Sequence, residues 1–139
     1  MRAEETGAGV GAGEGTEARV APRNIVCRYR FMNTPYAATE PTRAQVDALS
    51  GLTVLEFGAP WCGICSAAQP AIEEALASHP GLRHLKIHDG PGQPLGRSFR
   101  VKLWPTLIFL RDGHELERLV RPRDSRTIAE ALQRQSADA

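Results

Sequence analysis

The 139-residue chain carries almost no net charge, since 17 basic and 16 acidic side chains leave a formal +1. Without an excess of one sign, nothing electrostatic favours nucleic acid or an anionic membrane surface as a partner. Long hydrophobic runs are missing as well. No stretch approaches the roughly 18 uninterrupted apolar residues of a membrane-spanning helix. Met1 to Val20, "MRAEETGAGVGAGEGTEARV", lacks the apolar core of a secretory signal. Three cysteines are too few for a disulfide scaffold, and their odd number leaves at least one thiol unpaired. These absences lead us to expect one soluble, monomeric domain in a reducing, cytoplasmic setting, whose binding rests on shape and local chemistry.

The amino terminus has little to fold with. Five glycines alternate with other small or acidic residues from Gly7 to Gly15, a composition that cannot bury enough apolar surface to offset its conformational entropy. "NIVCRYRF" from Asn24 to Phe31 has strand-like composition, and Cys27 within it has no obvious partner. Met32 opens a stretch that reads as an ordinary domain start. The expectation is a disordered extension over 1–31 and a domain over 32–139.

Within that domain the apolar pattern alternates between two periods. Thr42 is a plausible cap for a short helix through Val46 and Leu49. "LTVLEF" from Leu52 to Phe57 is apolar enough for a strand covered on both faces, apart from Glu56. From Cys62 to about Ser78, Ile64, Ala68, Ile72, Ala75 and Leu76 recur at helical spacing, with Pro70 expected to kink the helix. "LRHLKIH" from Leu82 to His88 puts Leu85 and Ile87 on one side of a strand, and a short helix follows around Leu95 to Phe99. Asp112-Gly113 between "TLIFL" and "ELERLV" predicts an antiparallel hairpin from Thr106 to Val120. Asp124 or Ser125 can cap a last helix that packs Ile128, Ala131 and Leu132. The order is βαβ followed by ββα.

Cys62 directly follows a predicted strand and opens a predicted helix. Unpaired N–H groups and the helix dipole at that place favour thiolate, the nucleophilic form of the sulfur. Cys65, one turn further in, lies close enough to close a disulfide with Cys62 and expel a substrate bound to it. Two other readings exist for such a pair. Zinc requires about four ligands, and Cys27, His79, His84, His88 and His114 offer no second ligand pair at suitable spacing. Plain core filling suits buried cysteines in general, but fits poorly with a Trp-Cys-Gly-x-Cys turn at a strand-helix junction.

"WCGIC" from Trp61 to Cys65 resembles the active-site motif of thioredoxins, with Ile64 where the family usually has proline. The resemblance covers about Thr42 to Gln133. It includes the strand before the motif, Pro70 within the helix, "FRVKLWPTL" from Phe99 to Leu107 like the family's cis-proline segment, a glycine hairpin and a last helix. It implies an α/β thioredoxin fold, a central mixed sheet between helices. It also implies an attacking Cys62, a resolving Cys65 and a cis-proline at Pro105 packed beside them. The backbone of Trp104 would pair with an extended substrate segment. Trp61, Gly63 and Ile64 would complete the substrate surface.

Glu56 answers to a buried aspartate that assists proton transfer at the resolving cysteine, and Lys86 to the lysine that accompanies it. Burial in an apolar strand favours the neutral carboxyl that a proton shuttle needs. The alternative is a structural ion pair, or escape of Glu56 to solvent. Gly58 stands where the family often has an aromatic residue, and Trp104 where it often has a smaller aliphatic one. Trp104 either fills the space left by Gly58 or narrows the substrate groove. The four histidines have no cysteine or carboxylate at supporting spacing and are expected on the surface. Arginines crowd "RLVRPRDSR" from Arg118 to Arg126, a solvated patch or a site for an acidic partner.

The functional expectation is a protein-disulfide reductase that cycles Cys62 and Cys65 between dithiol and disulfide, without metal or organic cofactor. Disulfide-containing client proteins would be its substrates, and a separate reductase would supply electrons. The alternative is a binding or assembly factor that uses the same groove without turnover.

Overall fold

A computed structural model describes residues 35–137. The expected extension over 1–31, the strand-like Asn24–Phe31 segment and Cys27 lie outside the described residues. Thr42 opens the first helix by a reciprocal cap: its side-chain oxygen accepts from the Gln45 N–H at 3.0 Å, and the Gln45 side chain accepts from the Thr42 N–H at 2.9 Å. The elements that follow are α1 (Arg43–Asp47), β1 (Leu52–Gly58), α2 (Gly63–Ala77), β2 (Arg83–His88), α3 (Pro94–Ser98), β3 (Thr106–Arg111), β4 (His114–Val120) and α4 (Ser125–Ala137). Asp124 caps α4, its Oδ1 accepting from the Thr127 N–H at 2.8 Å. Helix α2 continues through Pro70.

The four strands stand in the order β2-β1-β3-β4. β1 pairs parallel with β2, across the crossover made by α2, and antiparallel with β3, which pairs antiparallel with β4. This is the mixed sheet expected. The hairpin turn holds Asp112 at φ 51 and Gly113 at φ 83, the left-handed pair that suits the twist of the flanking strands. Gly113 has a further reason to be glycine, because a Cβ there would collide with the Asp47 backbone.

Period-two alternation divides the core. Val54, Leu107 and Phe109 face Ala68, Ile72 and Ala75 of α2 and Ile128, Ala131 and Leu132 of α4. Leu55, Phe57, Ile87, Ile108 and Leu110 face Val46 of α1, Leu95 of α3, and Phe99. β1 is buried from Thr53 to Gly58, as its near-continuous apolar run demands. Ile64 departs from the expected apolar face of α2 and is 46% exposed, while its neighbour Cys65 is buried.

Candidate active site

The carboxyl end of β1 runs into the turn that starts α2, and both cysteines sit there. Cys62 is the N-cap, with extended backbone angles, and its Sγ accepts from the Cys65 N–H at 3.2 Å. A helix-start donor that has no intrahelical acceptor therefore points at the sulfur. Cys62 is half-buried, whereas Cys65 is only 2% exposed, and both are free thiols. Burial pushes the Cys65 thiol up to about 12. Its hydrogen bond with Cys62 and the negative charges of Cys62 and Glu56 act in the same direction, against a lowering by the backbone at Ala59. At neutral pH Cys65 is thus a protonated thiol, which must lose its proton before it can attack.

Beneath α2 lies a polar network within the apolar core. Alternation along β1 turns Glu56 to the α2 side, where it is 1% exposed. Its Oε2 accepts from Gln69 Nε2 at 2.6 Å, and its Oε1 lies 2.9 Å from His84 Nε2. Gln69 also accepts from Lys86 Nζ at 3.1 Å, so the amide links the carboxylate to the lysine expected beside it. The Lys86 ammonium lies 4.6 Å from the centroid of the Tyr36 ring.

Three of the histidines require correction, since only His114 is exposed and His79, just past the end of α2, is half-buried. His84 is not a surface residue without a carboxylate partner. β2 pairs in register with β1, Val54 with His84 and Glu56 with Lys86, so residues far apart in sequence meet on one face. His88 is half-buried and packs edge-on against Trp61, with ring centroids 4.9 Å apart, which steadies a tryptophan that is 67% exposed. Gln69 and His84 were legible in principle. Gln69 follows Cys65 by four residues on the helix, and His84 precedes Lys86 by two on a strand.

Tyr36 also belongs to the site, although no sequence motif marks it. A Cβ built on Gly58 would lie 2.8 Å from Cys65 Sγ and 3.3 Å from Tyr36 Oη, so the thiol and the phenol crowd the bare glycine together. Burial first, then the charges of Cys65, Glu56 and Cys62, hold the Tyr36 hydroxyl well above the usual tyrosine range. Trp104 is held elsewhere: its Nε1 donates to Asp89 Oδ2 at 2.9 Å, and the Asp89 N–H donates to the Gly58 carbonyl at 2.8 Å.

The Trp104–Pro105 bond is cis. Phe57 pairs with Thr106, and Thr106 with Val120. One step further, Gly58, Pro105 and Arg121 form a row at the same sheet edge as the cysteines, and the Arg121 N–H donates to the Pro105 carbonyl at 2.8 Å. Cys62, Cys65, Trp104 and Pro105 are thereby brought to one end of the sheet. Gly63 and Ile64 are exposed on the first turn of α2. Among the described residues, no three His, Cys, Asp or Glu side chains converge as metal ligands.

The family model described as Thioredoxin matches residues 36–134, a span that contains every element from α1 to α4 up to the last turn. This chain belongs to the thioredoxin family. Its paired thiols make it a thiol-disulfide oxidoreductase. Among solved structures, thioredoxin 2 from Pseudomonas aeruginosa PAO1 in its reduced form is 49% identical, with a TM-score of 0.70, covering 78% of this chain and 100% of that one. Thioredoxin of Chlamydia trachomatis is 32% identical over 83 residues, 60% of this chain and 81% of that protein. Protein disulfide-isomerase A2 of Pongo abelii is 42% identical over 87 residues, 58% of this chain but 17% of the isomerase. No helix among the described residues is long and apolar enough to cross a membrane.

Proposed function

We propose that this thioredoxin-family chain reduces disulfides in client proteins. The observation that carries the reading is the inequality of the two sulfurs. Cys62 is accessible and accepts a helix-start N–H, while Cys65 is buried and protonated. The Cys62 thiolate attacks one sulfur of a client disulfide, forming a mixed disulfide and releasing the other client sulfur as thiolate. Cys65 then gives up its proton and attacks Cys62 Sγ, which closes the Cys62–Cys65 disulfide and expels the second client thiolate. Two electrons pass to the client, and its two thiolates take up protons. Glu56, whose charge acts on Cys65, is the group to receive the Cys65 proton, held in place by Gln69 and His84, with Lys86 attached through Gln69.

Clients lie against Trp61, Gly63 and Ile64 on one side and Trp104 and Pro105 on the other, with the Trp104 backbone as the pairing edge. A separate reductase returns the electrons. The setting is the cytoplasm, the working unit is a monomer spanning 32–139, and no bound metal or organic cofactor takes part. Insulin reduction with dithiothreitol as electron source tests the reading. The wild type should turn over and Cys62→Ser should not, while Cys65→Ser should accumulate mixed disulfides with clients. Equal activity of wild type and Cys62→Ser, or trapping through Cys65 in place of Cys62, would overturn it.

A further inference from the structure

The backbone of Trp104 is half open. Among the described residues its N–H has no acceptor, and its carbonyl is held by a side chain, the Arg121 guanidinium, whose Nε donates at 2.9 Å. An open N–H beside a carbonyl that only a side chain satisfies is the edge to which an extended segment adds as a further strand. Arg121 is exposed and rooted firmly. Its backbone sits at φ 54 and its N–H bonds Pro105, which fixes where the side chain starts. The strand directions put Arg121, just past the end of β4, at the same end of the sheet as Gly58 and the cysteines.

Two other arginines of the arginine-rich segment differ from it, while Arg123, also exposed, resembles it in having no carboxylate partner among the described residues but makes no contact with the Trp104 backbone. Arg118 bonds Glu115 at 2.6 Å and Arg126 bonds Glu130 at 3.2 Å. Among the described residues Arg121 faces no carboxylate. A client N–H that takes the Trp104 carbonyl displaces the Arg121 Nε, and the released guanidinium then has donors and a charge to place. A carboxylate on the client satisfies both, in a forked geometry that suits arginine.

We propose that Arg121 is a specificity-determining residue, which selects clients carrying aspartate or glutamate beside the disulfide. The proposal rests on the reading that clients pair with the Trp104 backbone during reduction. The test uses three synthetic peptide disulfides, identical except for Asp, Asn or Lys next to a cysteine. Single-turnover rates with the pre-reduced chain are divided by the rate of each peptide with dithiothreitol, which removes the intrinsic effect of charge on the peptide thiols. The Asp peptide should exceed the Lys peptide about threefold at low salt, as suits an exposed ion pair. At 1 M salt, where screening acts within about 3 Å, the preference should vanish. Arg121→Glu should reverse the order, and Arg121→Lys should keep it with a smaller ratio.

Intact reduction with no charge preference in the wild type would overturn the role of Arg121 alone, as would an order unchanged in Arg121→Glu. Should that variant fail to fold, the salt dependence of the wild type decides. Failure of the wild type to reduce any of the three peptides would overturn the reductase reading and this proposal with it.

Discussion

Gly58→Ala adds one methyl group at the most crowded point of the site. Its Cβ would lie 2.8 Å from Cys65 Sγ, 3.3 Å from Tyr36 Oη and 3.6 Å from Cys65 Cβ. Non-bonded atoms of this kind prefer about 3.5–4.0 Å, so the sulfur must retreat by roughly 0.7 Å or more. Neither side yields easily. Gly58 is tied to the Asp89 N–H through its carbonyl, and α2 is anchored on the sheet by Ala68 and Ile72. Overpacking of this sort costs about 1–3 kcal/mol. In a domain of about 100 residues that lowers Tm by at least about 4 °C. The decisive measurement is a double-mutant cycle with Cys65→Ala, which removes the sulfur and leaves the methyl room. Thermal and urea unfolding of all four proteins under reducing conditions should give a coupling of about 1 kcal/mol or more, with Gly58→Ala far cheaper in the Cys65→Ala background. Costs that add within about 0.5 kcal/mol, or a Gly58→Ala protein as stable as wild type, would refute the packing argument.

Glu56→Gln should keep the fold but slow the resolving step, because an amide cannot take the Cys65 proton; equal single-turnover rates for the two proteins across pH 6 to 9 would remove Glu56 from the chemistry. Folding raises the Cys65 thiol from 9.0 to about 12, so above pH 9 the folded state keeps a proton that the unfolded chain releases. This contribution to stability is complete below pH 9 and is lost as pH rises toward 12. The reduced wild type should therefore lose more of its urea midpoint between about pH 8.5 and about pH 10.5 than Cys65→Ser does, and parallel losses would contradict the assignment. A chain starting at Met32 should retain thermal stability and insulin reduction; a marked loss would show that Asn24–Phe31 pairs with the sheet.

Much of this site is legible in the sequence. Cys62 and Cys65 are neighbours by local geometry, since three residues along a nascent helix is less than one turn. Asp112-Gly113, the Thr42 and Asp124 caps and the buried faces of α2 and α4 are equally local: each follows from backbone preference and apolar period within a few residues. Glu56 stood out because a carboxylate in an apolar strand needs partners. What those partners are could not be read locally. Glu56 meets His84 because two strands pair in parallel register, which also sets Lys86 beside it, and Gln69, an amide on the helix that crosses above, bridges the carboxylate and the lysine. Tyr36 reaches Cys65 because Gly58 leaves the room for it.

The same division holds at the groove. Pro105 was recognisable from its segment, but the contact of Arg121 with the Trp104 carbonyl depends on β1, β3 and β4 aligning Gly58, Pro105 and Arg121 in one row. By itself, the sequence determined which chemistry the chain carries, because a helix start followed by Cys-Gly-Ile-Cys prepares one sulfur to attack and a second to resolve. Only the tertiary structure decided which groups surround those sulfurs, because strand register and helix packing join residues whose separation along the chain carries no signal of their proximity.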